Sequence, residues 1–101
     1  MFFNRQRSRE IDEFAIALAQ EFSNRCPAGQ TVDGTFPAEK LGRVIDDVCN
    51  RAASFNRERR LWMYGKAKLG AAFKLRLKES GYPETFVDDV TRQILLTMSG
   101  K

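Results

Sequence analysis

The side chains in this 101-residue chain that could do chemistry are two neighbouring carboxylate pairs, Asp46/Asp47 and Asp88/Asp89, two cysteines, Cys26 and Cys49, and one dense run of cations. Acid–base and nucleophilic catalysis need a group whose pKa can be brought near neutrality, and histidine, the usual choice, is absent. Adjacent residues on a helix diverge by about 100° and do not face one another, so neither aspartate pair can share a proton or a metal ion unaided. A carboxylate metal site of the helical-bundle kind would want Glu-x-x-His, which this chain cannot supply. The cysteines have no CxxC spacing, which argues against structural zinc. They are expected as free thiols, Cys49 near an apolar helix face and Cys26 in a loop; pairing in an oxidising compartment is the alternative. No GxxxxGK[ST] or GxGxxG spacing marks a phosphate-binding loop. The expectation is a protein that is not an enzyme, with no catalytic residue, metal, cofactor or small-molecule substrate.

The cations are the informative feature. From Arg57 to Lys78 there are eight basic residues against one acid, Glu58. Read as a helix, the stretch places Trp62, Lys66, Leu69, Phe73 and Leu77 on one stripe and Leu61, Tyr64, Lys68, Ala72 and Leu75 on a second. Two buried stripes predict a central helix, which leaves outside a narrow ridge of Arg60, Lys74 and Lys78 with Ala67 and Ala71 in its middle. A second set of cations, Arg5, Arg7 and Arg9, alternates with polar residues near the N-terminus, where Phe2 and Phe3 could anchor in a groove. These six basic residues are the candidate partner-binding set. The bland alternative is that they only lay methylene stems over the core and keep their charged ends in water. Gly65 and Gly70 each cost a helix interior roughly 1 kcal/mol relative to alanine. The unbroken apolar phase across them favours close approach of another helix over a bend.

The elements that must position these residues are helical. A chain of this length forms one domain and needs no cross-link to fold. Expected are a flexible basic arm over residues 1–8 and a single helical domain over 9–99, with helices at 9–24, 37–55, 58–80 and 83–98. Ile11, Phe14, Ala15, Leu18 and Phe22 give the first its buried stripe, after Ser8 as N-cap; Leu41, Val44, Ile45, Val48, Ala52 and Phe55 give the second. Residues 25–36, with Pro27, Gly29 and Gly34, read as a loop. Gly81 suits the end of the third helix and Pro83 the start of the fourth, which buries Phe86, Val87, Val90, Ile94, Leu95 and Met98. The fold class is therefore all-α, a four-helix bundle-like domain with a buried basic third helix.

The net charge of +4 is an electrostatic tendency and not a specificity. With no signal-type or membrane-spanning apolar run, the expected location is the cytoplasm. The function this supports is a small protein-interaction module, self-associating or docking an acidic partner through the basic ridge. The alternative is sequence-nonspecific nucleic-acid binding through the basic helix and the arginine arm. Stacking is disfavoured if Trp62 and Phe73 belong to the core, and Glu84, Asp88 and Asp89 would repel phosphate. Membrane-surface binding ranks last, because a folded bundle occupies the apolar face of the basic helix.

Overall fold

Apolar residues spaced three and four apart recur along most of the chain, and a computed structural model, describing residues 5–99, shows what they build. Five helices follow in order: α1 (Arg5–Arg25), a single turn α2 (Ala28–Val32), α3 (Ala38–Arg59), α4 (Met63–Glu79) and α5 (Glu84–Ser99). No strand occurs among the described residues. Ile11, Ala15, Leu18 and Phe22 of α1, Val48 and Ala52 of α3, Leu69, Phe73 and Leu77 of α4, and Val87 and Ile94 of α5 meet in one fully enclosed core. The ring of Phe22 touches Phe73, Tyr82 and Phe86 within 6.4 Å between centroids, so an aromatic cluster joins α1, α4 and α5.

The packing partners follow from which faces carry these stripes. α1 lies mainly on α4, α4 also on α5, and α5 on α3, with a smaller α1–α3 contact. Glu10 meets Arg59 and Arg25 meets Asp47, so α1 and α3 run antiparallel. Lys74 meets Asp88 and Lys78 meets Glu84, so α4 and α5 do likewise. α1 and α4 run the same way, as Asp12 against Lys68 and Phe22 against Phe73 require.

Four boundaries differ from the sequence expectation, each for a local reason. α1 already includes residues 5–8, so Arg5, Arg7 and Arg9 sit on a helix and not on an arm. Residues 1–4 and the side chains at 5 and 6 lie outside the described residues, and with them the expected anchors Phe2 and Phe3. Within the 25–36 loop, Pro27 caps the single turn α2, and Asp33 accepts hydrogen bonds from the Thr35 amide at 3.0 Å and hydroxyl at 2.7 Å. Pro37 is the N-cap of α3 and not its first residue.

The fourth difference bears on function. α3 runs on to Arg59, because nothing in its sequence stops it, and ends where Arg60 adopts the left-handed conformation, φ 52° and ψ 58°. The basic helix therefore starts at Met63, five residues later than expected, with Trp62 extended before it. The apolar register resets across this joint: Leu61 is buried, and Trp62 turns outward, 79% exposed. The first stripe is otherwise buried at Leu69, Phe73 and Leu77, whereas the second is covered fully only at Leu61, with Lys68 and Ala72 half-buried and Tyr64 and Leu75 facing water. The reason is that α4 packs chiefly on α1 and α5, which leaves its outer side, with Tyr64 and Leu75, to solvent. The glycines behave as close-approach positions. A Cβ on Gly65 would lie 3.3 Å from Leu61 and 3.4 Å from Ile11, and one on Gly70 only 3.0 Å from Leu95 of α5.

Candidate functional site

Two contacts tie the start of α1 to the end of α3, and a third, within α3, fixes the Arg59 side chain that makes one of them. Arg7 donates from its guanidinium to the Arg59 carbonyl at 2.6 Å, Arg59 pairs with Glu10 at 3.4 Å, and the Arg59 guanidinium covers the Phe55 ring at 5.2 Å. The Asn56 amide donates to the Met98 carbonyl at 3.2 Å, which brings the end of α5 to the same place. The left-handed turn at Arg60 then delivers α4 there as well. One end of the molecule therefore gathers Arg7, Arg9, Arg57, Arg59, Arg60 and Lys66, with Glu10 and Glu58 as the nearby carboxylates.

At this end Trp62 and Met63 stand consecutively in solvent, 79% and 83% exposed, with Tyr64 behind them. They form one wall of an open groove of about 410 Å³ whose lining also includes Leu61, Lys66, Ala67, Leu95 and Ser99. No lining residue is acidic. A left-handed backbone costs a non-glycine residue about 1 to 2 kcal/mol, so the joint that presents Trp62 carries strain the surrounding packing must hold in place. Chemically the groove can take apolar side chains out of water and pair an anion with Lys66 or Arg60.

The structure divides the six cations singled out by sequence. Arg60 is exposed in the joint directly before Leu61, a lining residue of the groove, and Arg7 reaches the same end through the Arg59 carbonyl. Arg9 is exposed two residues further along α1, about half a turn round from Arg7, and Arg5 belongs to that helix by its backbone. Lys74 and Lys78 are engaged instead, with Asp88 at 2.9 Å and Glu84 at 3.9 Å. The hydrogen bond from Lys74 holds the Asp88 carboxyl below the usual aspartate range, and the same bond raises the Lys74 ammonium. Of the aspartate pairs, Asp88 thus neutralises the basic helix, whereas Asp47 pairs with Arg25 of α1 at 2.9 Å. Arg51 also pairs with Glu21.

A second, smaller cleft of about 280 Å³ lies at the far end, among Arg25, Phe36, Lys40, Arg43 and Val44. Cys26 and Cys49 are free and buried, and burial raises both thiols above the ordinary cysteine value. The Tyr82 hydroxyl donates to the Cys26 carbonyl, which locks the α1 terminus to the joint before α5.

The residues that sequence reasoning missed are Trp62, Met63 and Tyr64. A signal for them was present: Leu61, Trp62, Met63 and Tyr64 are four consecutive bulky apolar residues, and on a helix they would span most of the circumference, so some of them had to face water. No helix among the described residues is long and apolar enough to cross a membrane. No known protein family, curated protein or solved structure matches the chain.

Proposed function

We propose that this chain, a bundle of four long helices, is a non-enzymatic protein-interaction module that docks an acidic partner through the end bearing Arg60, Lys66, Trp62 and Met63. The observation that carries this reading is the pair of exposed apolar side chains at a held, left-handed joint, beside Arg60 and Lys66, which pair with no carboxylate among the described residues. Aromatic and methionine side chains in a cationic setting are the composition of an interface centre, where a few bulky anchors supply most of the binding energy. The ridge expected from sequence is thereby narrowed: Arg60 stays, and Lys74 and Lys78 serve the fold through α5. A second copy of the chain is the weaker occupant, because its carboxylates outside the ion pairs of the described residues, Glu13, Asp33, Glu39, Asp46, Glu58, Glu79 and Asp89, are spread over four helices and a loop. The cytoplasm is the setting that suits two reduced, buried thiols.

One observation favours a second reading, single-stranded nucleic acid. Trp62 is exposed next to Arg60, where a base could stack and a phosphate could pair. The test is a titration of the protein with an acidic Glu/Ala copolymer and with a thymine oligonucleotide, each between about 50 and 200 mM salt. The acidic polypeptide should bind, and Arg60→Glu with Lys66→Glu should weaken it at least about tenfold, whereas Lys74→Ala with Lys78→Ala should change it little. Tight oligonucleotide binding whose salt slope flattens in Arg60→Gln, with no polypeptide binding, would transfer the function to the second reading.

A further inference from the structure

The groove beside Trp62 has a shape and a charge pattern that the acidic-partner reading alone does not require. On α4, Met63 and Ala67 line it at a spacing of one turn, and Ala71, one turn further, is also exposed. These three residues span two turns, about 12 Å of helix. On α5 the opposite wall is Leu95 and Ser99, with Leu96 exposed alongside. Large side chains, Leu61, Trp62 and Met63, therefore stand at the start of α4, while the next positions on that face, Ala67 and Ala71, are small. A channel between two helices, walled by ridges and floored by small residues, is the surface into which a third helix packs.

The lining decides the chemistry of the occupant. Leu61, Met63, Ala67 and Leu95 are aliphatic or thioether groups that gain nothing from phosphates and sugars but lose water readily to leucine-like side chains. The one charged residue of the lining is the cation Lys66, Arg60 directly precedes the lining residue Leu61, and Arg92 lies on α5 one turn before Leu95 and Leu96; Glu10 is already paired with Arg59, which leaves Glu58 as the nearby carboxylate. No strand edge exists among the described residues for an extended peptide to join. Resting on the function proposed above, we infer that the occupant is an acidic amphipathic helix of a partner protein. Its apolar i, i+3/i+4, i+7 residues lie between α4 and α5, and its carboxylates meet Arg60, Lys66 and Arg92. This is helix-in-groove recognition, with Trp62 closing over the end of the bound helix.

Trp62 is the sole tryptophan of the chain, so the protein carries its own reporter at the site. The probe is a synthetic helix of about four turns with leucines at i, i+3, i+4 and i+7 and glutamates elsewhere, compared with a scrambled peptide of the same composition. The ordered peptide should shift Trp62 emission to the blue, saturably, and bind at least about tenfold more tightly than the scrambled one. The variant Ala67→Arg separates groove from charge, since it adds a cation while filling the channel. The exposed site tolerates it without unfolding, and it should weaken the ordered peptide and leave the scrambled one equal or tighter.

Equal binding of the two peptides, or a tighter ordered peptide in Ala67→Arg, would overturn the helix-in-groove inference. If the acidic copolymer still binds through Arg60 and Lys66 in that case, the broader reading stands. Absence of polypeptide binding together with tryptophan quenching by the thymine oligonucleotide would remove both. A blue shift produced by anionic lipid vesicles and by neither peptide would do the same, and would assign the exposed Trp62–Met63 pair to a membrane surface.

Discussion

Replacing Trp62 and Phe73 in turn puts the register break at Arg60 to a quantitative test. On one uninterrupted helix the two residues share a stripe, and each truncation to alanine would cost about 3 to 5 kcal/mol, as for any buried aromatic. In the structure Phe73 is fully enclosed, edge-on to Phe22 at 6.4 Å, and should cost that much. Trp62, 79% exposed, keeps only a fifth of its surface covered. A fully buried aromatic of this size hides about 150 to 250 Å², so about 40 Å² is at stake. At about 25 cal/mol per Å² this is worth about 1 kcal/mol. The assay is urea unfolding followed by circular dichroism, which does not depend on the tryptophan. With a slope of about 1.5 kcal/mol per molar urea, Trp62→Ala should lower the midpoint by under about 0.7 M and Phe73→Ala by about 2 M or more. Should Phe73→Ala leave no folded baseline, Phe73→Leu supplies a milder version of the same comparison, with a loss of about 1.5 kcal/mol. A loss above about 2 kcal/mol in Trp62→Ala would refute the broken register, and with it the groove.

Three further outcomes follow from named contacts. Arg60→Gly removes the cost of a left-handed non-glycine residue and should raise stability by about 0.5 to 1 kcal/mol while weakening acidic-polypeptide binding, measured by urea midpoint and by titration; a destabilised variant would contradict the turn geometry. Gly70→Ala forces a Cβ to within 3.0 Å of Leu95, so Gly70→Ala combined with Leu95→Ala should show a favourable coupling of about 1 kcal/mol in a double-mutant cycle. The Lys74 hydrogen bond depresses the Asp88 pKa, so the stability it contributes is present above the ordinary aspartate value of about 3.9 and is lost as pH falls through the depressed folded-state value. Asp88→Asn should therefore remove part of the acid limb of the stability profile, read as the urea midpoint against pH, and leave the Trp62 emission unchanged.

The residue pattern by itself determined that the chain is helical and which stripes of three helices face the core, since Ile11 to Phe22, Val44 to Phe55 and Val87 to Met98 repeat at helical spacing and are buried accordingly. It also marked Gly81, at φ 101°, as the stop before the last helix, because a left-handed backbone is cheapest for glycine. The same logic hid the joint at residues 60–62, where an arginine takes that conformation and no glycine or proline announces it. Only tertiary structure decided which of Leu61, Trp62, Met63 and Tyr64 is covered, because that depends on where α4 restarts and on its lying between α1 and α5 with its outer side open. The fate of the cations was settled at the same level. Charge is written in the chain, but whether Lys74 meets Asp88 and whether Arg7 reaches Arg59, 52 residues away, depends on which helices become neighbours.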